Sequence, residues 1–401
     1  MDAVRRFLAV PTKFSAILFR ACCWGLKGMD FNLTEEQSML RDSLQRFVAD
    51  HYQNTDRAAL VYSDPGYSAD HWRLFAEMGW LALPFAERHG GFGGTPVDTA
   101  ILMETLGRGL VLEPYLSTVV LAGGLIALAG SEVQQADIIP QIIAGDLTLA
   151  LAYLEPGSGF DPAYVATTAH SDGDGFLLNG QKCVVYQGPS ADRFILSART
   201  KKGVSLFVLE QGLPGLYRKD FKTLDGQWAS DLSLESVSVG PEALLGEEDV
   251  ALPALEQVLG QGVSAVCAEA VGAMAAANEI TRDYIRVRKQ FGVAIGSFQA
   301  LQHRWVDMHI EAELAKSMSD ALAMRLRDGD EDAPAMVCAT KVAVGRAAQS
   351  VGQGAVQLHG GMGMTDEYAI GHYYKRLSII DLLFGNQDYH ATRYEALEAA
   401  K

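Results

Sequence analysis

The sequence predicts an α+β protein in three parts: an N-terminal α-helical domain, a middle antiparallel β domain and a C-terminal four-helix bundle. Three observations carry that expectation. Apolar residues recur at helical spacing from about residue 33; short β-branched and aromatic runs parted by turn residues then follow; long helical patterns return towards the C-terminus. The parts are expected at 29–146, 147–246 and 247–401, behind an extension over 1–28.

The extension, "MDAVRRFLAVPTKFSAILFRACCWGLKG", holds five basic residues and one acidic one, and "MDFNLTEEQ" then begins at Met29 like a second start. Lys13 and Arg20 break the apolar stretch that a secretory signal needs. A basic amphipathic segment on a membrane, an upstream start codon and a disordered extension stay open. Helices follow. "LTEEQSMLRDSLQRFVADHY" opens with Thr34 ahead of Glu36 and Gln37, then sets Met39, Leu40, Leu44, Phe47 and Val48 at helical spacing. "HWRLFAEMGWLAL" and "ILMETLGRGLVLEPYL" repeat the pattern, with "HGGFGG" (89–94) as a flexible loop, and "STVVLAGGLIALAG" (117–130) reads as a buried helix.

Strand signals start near 147 with "LTLALAYLE", "YVATTAHS", "GFLLNG", "KCVVYQG", "DRFILSA" and "VSLFVLE", separated by turns such as "DGDG" (172–175) and "NGQ". From Leu255 to Val287 the pattern is helical again. A second helix sets Leu301, Trp305, Met308, Ala312, Ala315, Met318 and Leu322 on one face, and "RDGDEDAP" (327–334) is a solvated connector. With 401 residues, 49% of them hydrophobic, the chain can bury more than one core. Its charge of −16 opposes non-specific binding to nucleic acid or acidic membranes, though local arginines can still hold an anion. Five cysteines (Cys22, Cys23, Cys183, Cys267, Cys338) show neither zinc nor disulfide spacing. A reducing cytoplasm is the simple expectation, with no metal and, beyond the extension, no run able to span a bilayer.

Two long stretches, "RKQFGVAIGSFQALQHRWVDM" (288–308) and "QLHGGMGMTDEYAIGHYYKR" (357–376), supported by "LEPGSGFD" (154–161) and "NGQKCVVYQGPSAD" (179–192), make the chain from Met29 onward resemble the acyl-CoA dehydrogenase family. It is similar above all to pimeloyl-CoA-type small subunits and to partner subunits of heteromeric steroid side-chain acyl-CoA dehydrogenases. The resemblance implies an acyl-CoA dehydrogenase fold and FAD-dependent α,β-desaturation of an acyl-CoA thioester. A buried carboxylate takes the α-proton, and the β-hydrogen leaves as hydride to the flavin. It also implies that FAD adenosine and pyrophosphate are met, partly across a subunit boundary, by Arg288, Gln290, Phe291 and Ile295 of one motif and Gln357, Gly360, Gly361 and Gly363 of the other. The physics suits that role, because arginine can grip a phosphate bidentately and glycines let backbone N–H groups approach one. The plainer alternative is a local ion pair for Arg288 and a tight helix–helix turn for the glycines.

Elsewhere the chain departs from the family pattern. Leu154 and Phe160 stand for a threonine and a serine, and Val184 and Tyr186 for the tryptophan and threonine that cover the flavin. The position of an arginine at the CoA end holds Val263. Of the two places where family members carry the catalytic glutamate, one is Gly262 and the other Phe384, followed by Asn386 and Asp388 for a threonine and a glutamine. Glu269 is a candidate replacement base on an apolar helix, unless it makes a structural ion pair inside the bundle. Asp381, Asp388 and His359 are weaker candidates, while Met362 and Met364 suit packing.

Contacts that would complete a neighbour's flavin site therefore persist while those of a self-contained site are replaced. The expectation is the non-catalytic subunit of an α₂β₂ acyl-CoA dehydrogenase beside a homologous catalytic subunit, with a bulky acyl-CoA substrate and electron-transferring flavoprotein as acceptor. The alternatives are a catalytic homotetramer using Glu269 and a scaffolding protein without redox chemistry.

Overall fold

The computed structural model describes residues 31–401 except Gln53 and Asp64. The readings made for residues 1–28 lie outside the described residues. In chain order the helices are α1 (Glu35–His51), α2 (Asn54–Val61), α3 (Ala69–Glu77), α4 (Pro96–Gly109), α5 (Gly124–Ala129) and α6 (Glu132–Ala144). Strands β1 (Leu149–Ala152), β2 (Thr168–Asp172), β3 (Gly175–Tyr186), β4 (Arg193–Arg199), β5 (Val204–Glu210), β6 (Leu216–Lys222), β7 (Trp228–Val239) and β8 (Leu244–Leu245) follow. The C-terminal part holds α7 (Leu252–Val287), the two-residue strands β9 (Lys289–Gln290) and β10 (Val293–Ala294), α8 (Gln299–Asp328), α9 (Ala333–His359), α10 (Ala369–Leu382) and α11 (Gln387–Ala399).

Two compact units divide the chain. A sheet unit takes Arg57–Thr95 and Leu112–Gly262; a bundle unit takes the described residues of 31–56, Pro96–Val111 and Val263–Lys401. In the sheet unit β6-β7-β3-β2-β4-β5-β8 lie side by side, and β1 pairs with β4. The sheet is mixed rather than purely antiparallel, because β1 and β2 both run parallel to β4. β1 reads Leu-Ala-Leu-Ala and is buried throughout, as parallel strands usually are. Phe176, Leu178, Phe194, Leu196, Phe207 and Leu232 belong to its core, with the Phe176 and Phe207 rings edge to face.

"GFLLNG" and "KCVVYQG" form one strand, β3, and not two parted by a turn at "NGQ". Asn179 and Gly180 sit in a bulge where the register against β7 shifts. Gly180 has φ 154° and presses on Thr167, so a side chain has no room there. Asn179 Oδ1 meanwhile accepts the Ser236 amide at 2.8 Å. The "HGGFGG" loop, expected to be flexible, is pinned: Phe92, Gly93 and Gly94 amides donate to the carbonyls of Ala82, Phe85 and Leu83. The segment 117–130 is buried as expected for most of its length, but Leu116–Gly123 winds as a π-helix before α5.

In the bundle unit the Thr34–Gln37 capping box starts α1, although Met39 is 67% exposed and off the core face. Where α4 crosses α7, Gly107 and Gly272 let the backbones touch, since a Cβ on either would strike the facing chain at Glu269 or Glu104. α7 is long and apolar enough to cross a bilayer, which the sequence reading overlooked. Its most apolar stretch is 83% buried in protein, the mark of a core helix. α9 packs against α8, α10 and α11, its faces lined by alanine, glycine and valine. The acidic connector after α8 is tied down rather than loose: Asp330 pairs with Arg325 and caps the Asp332 amide.

Candidate functional site

Three turns at helix ends of the bundle unit hold the motif residues. α7 runs out at Arg288, whose amide still donates to the Tyr284 carbonyl at 2.8 Å while its own carbonyl accepts from Ile295. β9 and β10 pair Gln290 with Val293 across a two-residue turn in which Phe291 (φ 53°) and Gly292 (φ 81°) are both left-handed. The turn throws Phe291 outward to 91% exposure. The Arg288 and Gln290 side chains are exposed too, with Ile295 half-buried, and no carboxylate among the described residues pairs with Arg288.

The second turn follows α9. Gln357 is exposed, Gly360 and Gly361 have open space where a Cβ would be, and Gly363 is buried against the Val356 carbonyl and His359. His359 holds the two motifs together. It donates Nδ1–H to Ala355, its ring stacks on Tyr284 with centroids 4.2 Å apart, and its carbonyl accepts from Tyr284 Oη. Tyr284 lies one helical turn before Arg288, so both motifs share one end of the bundle. Burial lowers the His359 pKa, outweighing the Ala355 bond, so the ring is neutral. Met362 and Met364, expected to pack, are exposed on the outer side of this short turn.

The third turn, between α10 and α11, carries Phe384. It is half-buried and held at φ 61°, an outlier for a bulky residue. Every neighbour fixes it. The His390 Nε2–H donates to the Phe384 carbonyl at 3.0 Å, Asn386 caps the Tyr389 amide, and Gly385 (φ 106°) lies flat on the Tyr389 ring. Beneath, the buried Lys341 ammonium donates to the carbonyls of Ile380, Asp381 and Gly385 at 2.7, 2.9 and 3.1 Å. Burial pulls the Lys341 pKa down to about 8 and that of His390 to about 3, so His390 is a neutral donor. Lys341 was missed in the sequence. Its signal was a lone lysine in the apolar run "MVCATKVAVG".

The candidate replacement base is not free. Glu269 is buried on α7 and bonded twice to Arg376 of α10, Nε to Oε1 at 2.6 Å and Nη2 to Oε2 at 2.7 Å. Val263 is buried, and Gly262 offers no side chain. Asp381 accepts from Gln387 at 3.3 Å, and Asp388 is exposed in the first turn of α11. A cleft of about 330 Å³ among α1, α4, α7 and α8 touches none of these residues.

Of the four sheet-unit positions that depart from the family pattern, two have left-handed backbone. Phe160 has φ 75° and Val184 φ 51°. The Val184 amide is spent on Asp231 at 3.0 Å, and the Leu154 carbonyl accepts from Cys183. Tyr186 is half-buried in β3. What is intact is the frame beneath: Lys182 Nζ donates to Glu155 at 2.6 Å and to Ser197 at 2.9 Å, and Glu155 also takes the Ala166 and Thr167 amides. Burial pushes the Glu155 carboxyl up, but the Lys182 charge and these hydrogen bonds outweigh it and leave the pKa below its ordinary value. Burial draws Lys182 down to about 8. The Glu155 contribution is therefore complete above the ordinary carboxylate pKa and is lost as pH falls through the depressed one. Thermal melts from pH 7 to pH 3 should fall more steeply in wild type than in a Glu155→Gln, Lys182→Met double variant, by about 2–4 °C for each kcal/mol lost. Parallel curves would remove the pair from the acid response.

Residues 34–146, 150–237 and 253–395 match the N-terminal, middle and C-terminal domains of acyl-CoA dehydrogenases. The chain is 32% identical to the mitochondrial long-chain specific acyl-CoA dehydrogenase of Sus scrofa, over 85% of this chain and 81% of that protein. Among solved structures, a variant of the Tcur3481-Tcur3483 steroid ACAD is 30% identical with a TM-score of 0.84, covering 92% of this chain and 99% of that one. The ChsE4-ChsE5 complex from Mycobacterium tuberculosis is 25% identical with a TM-score of 0.85, covering 93% and 100%. The chain belongs to the acyl-CoA dehydrogenase family, FAD-dependent oxidoreductases that act on CH–CH bonds.

Proposed function

We propose that this chain is the non-catalytic subunit of an α₂β₂ acyl-CoA dehydrogenase and completes the FAD site of a homologous catalytic partner. The observation that carries the reading is the contrast between the turns. The Arg288 hairpin and the turn that exposes Gln357, Gly360 and Gly361 lie together, and no carboxylate among the described residues pairs with Arg288, whereas the Phe384 turn is fully built and holds no carboxylate. An arginine fork suits a pyrophosphate, the absence of side chains at Gly360 and Gly361 lets a ligand come close to the backbone, and an outward phenylalanine suits an adenine face. In this role Arg288, Gln290, Phe291 and Ile295 work with Gln357, Gly360, Gly361 and Gly363. The chain's own sheet unit does not fit the flavin ring: Leu154, Phe160 and Val184 offer no side-chain hydrogen bonds, and the Val184 amide is already bonded. The bound flavin supplies a hydride acceptor, and the proton acceptor is the partner's. Two neighbouring structures bear names that pair two gene products, one of them a steroid enzyme, which favours a heteromer and a bulky acyl-CoA substrate. Electron-transferring flavoprotein is the acceptor this reading assigns, in the cytoplasm.

The test is to purify the chain alone and co-expressed with a catalytic dehydrogenase chain from the same gene neighbourhood, comparing flavin absorbance and acyl-CoA turnover. Flavin and turnover are expected only in the pair. One flavin per isolated chain with unaided thioester oxidation would refute the reading. Phe384→Glu is expected to leave the isolated chain inactive, because the sheet-unit contacts are missing as well; measurable turnover would show the site is otherwise whole.

A further inference from the structure

We propose that the cleft of about 330 Å³ within the bundle unit binds a free α-amino acid with a large apolar side chain, its carboxylate on Arg41 and its ammonium on Asp320. The site stands apart from the subunit reading above, because the cleft touches neither flavin motif nor the Phe384 turn.

Small residues leave the space. Ala100 on α4, Gly272 and Ala275 on α7 and Ala323 on α8 put almost no side chain where these helices meet. Contacts between the helices order the walls. Gln37 of α1 donates to Asp98 of α4 at 2.9 Å, and Val48 lies against Gly109, so α1 runs alongside α4 in the same direction. α8 runs the opposite way: Lys316 meets Glu104 at 2.8 Å, while Arg327 feels the Asp98 charge. Arg41 stands one turn past Gln37, and Asp320 one turn past Lys316 in the direction of Asp98. The two therefore fall at about the same level, on different walls. Between Val97 and Arg108 the cleft follows α4 for about 16 Å. Phe31, Leu33, Val97, Ile101 and Met324 make the end nearer Asp98 apolar.

Charge selects the ligand. Five charged side chains line the cleft: Arg41, Arg108, Lys316, Glu104 and Asp320. Two of the cations are committed, Arg108 to Glu279 outside the cleft and Lys316 to Glu104. One charge of each sign is left poorly served. Arg41 has the carboxylate of its neighbour Asp42 at 3.7 Å, beyond hydrogen-bond reach, and Asp320 has only the shared Lys316 ammonium at 3.3 Å. Burial, with Glu104 and Glu313 adding to it, raises the Asp320 pKa against the pull of Lys316, as expected of a carboxylate short of positive charge. A simple acid would meet Asp320 and Glu104 as well as Arg41, and a simple amine would meet Arg41 as well as Asp320. A molecule with both charges on one carbon answers both walls. Gln45, exposed one turn beyond Arg41, offers its amide to the same carboxylate, and the side chain then lies towards the apolar end.

Calorimetry on the full-length chain, with L-phenylalanine as the probe, tests the site. One molecule per chain is expected, with a dissociation constant below about 1 mM. Phenethylamine and hydrocinnamate, each lacking one of the two charges, should bind at least about tenfold more weakly. Arg41→Ala and Asp320→Asn should each cost about tenfold, and the losses should sort by group. Arg41→Ala should erase the advantage of phenylalanine over phenethylamine, and Asp320→Asn its advantage over hydrocinnamate. Thermal melts of both variants should match wild type. Arg41 is exposed, so its variant decides the matter even if Asp320→Asn disturbs the bundle. Absence of binding up to about 10 mM would overturn the site. An analogue that binds as tightly as phenylalanine would overturn the zwitterion, and wild-type affinity in Arg41→Ala would place the amino acid elsewhere and overturn the assignment to this cleft.

Discussion

Replacing Glu269 with alanine is expected to destabilise the bundle unit by about 4 kcal/mol, lowering its melting temperature by about 10 °C. The reasoning starts from burial. Arg376 is 2% exposed and places two N–H groups on the Glu269 carboxylate. Without the carboxylate, a buried guanidinium loses the group that takes these two bonds, and breaking a buried ion pair in this way costs about 3–5 kcal/mol. Glu269→Gln keeps the shape and part of the bonding, so it should cost less. A paired change of Glu269 and Arg376 to methionine should recover most of the loss, because a buried ion pair and a well-packed apolar pair are nearly equal in free energy. Calorimetry on the three variants gives the comparison. The same series tests Glu269 as a base: Glu269→Gln in the co-expressed complex should keep turnover within about threefold of wild type, whereas removing a general base costs about a hundredfold or more. A variant with a wild-type melt and abolished turnover would make Glu269 the proton acceptor and reverse the assignment of roles.

How far the sequence could be read depended on whether a feature is local. Helix periodicity and the Thr34–Gln37 cap are written in neighbouring residues, and both appear as expected. The β3 bulge was misread because Asn-Gly signals a hairpin by itself. Only contact with Thr167 and β7, many residues away, decides that this pair stays in a strand. β6 escaped notice for another reason: "LYRKDFK" is charged as an edge strand should be, and so lacks the apolar alternation that marks buried ones. At the candidate site, the phenylalanine at 384, where the resemblance implies a glutamate, could be read in the sequence, but the framework around it could not. Lys341 reaches three carbonyls some forty residues on, and Arg376 reaches Glu269 across 107 positions. Sequence spacing carries no trace of such pairs. The persistence of a left-handed backbone at Phe160, Val184 and Phe384 was also invisible, since none of these residue types favours it. Surrounding hydrogen bonds hold two of those turns, which is why their shape outlasts their chemistry.

Arg288→Ala should lower flavin affinity of the co-expressed complex by about ten- to a hundredfold while leaving both pairing and stability unchanged. A charge-assisted bond from arginine to phosphate contributes about 1.5–3 kcal/mol, which fixes that range. Stability should not move, because the side chain is exposed and only its backbone takes part in the hairpin. Flavin titration followed at 450 nm, with sedimentation and a thermal melt on the same sample, separates the three quantities. Arg288→Lys is the sharper control: it restores charge but not the fork, and should recover only part of the affinity. High salt should weaken wild type more than the alanine variant, since one ionic contact is missing from the latter. If Arg288→Ala left occupancy untouched at limiting flavin, the guanidinium would not be a phosphate ligand. The exposed hairpin would then need a different reason to stand beside the glycine turn.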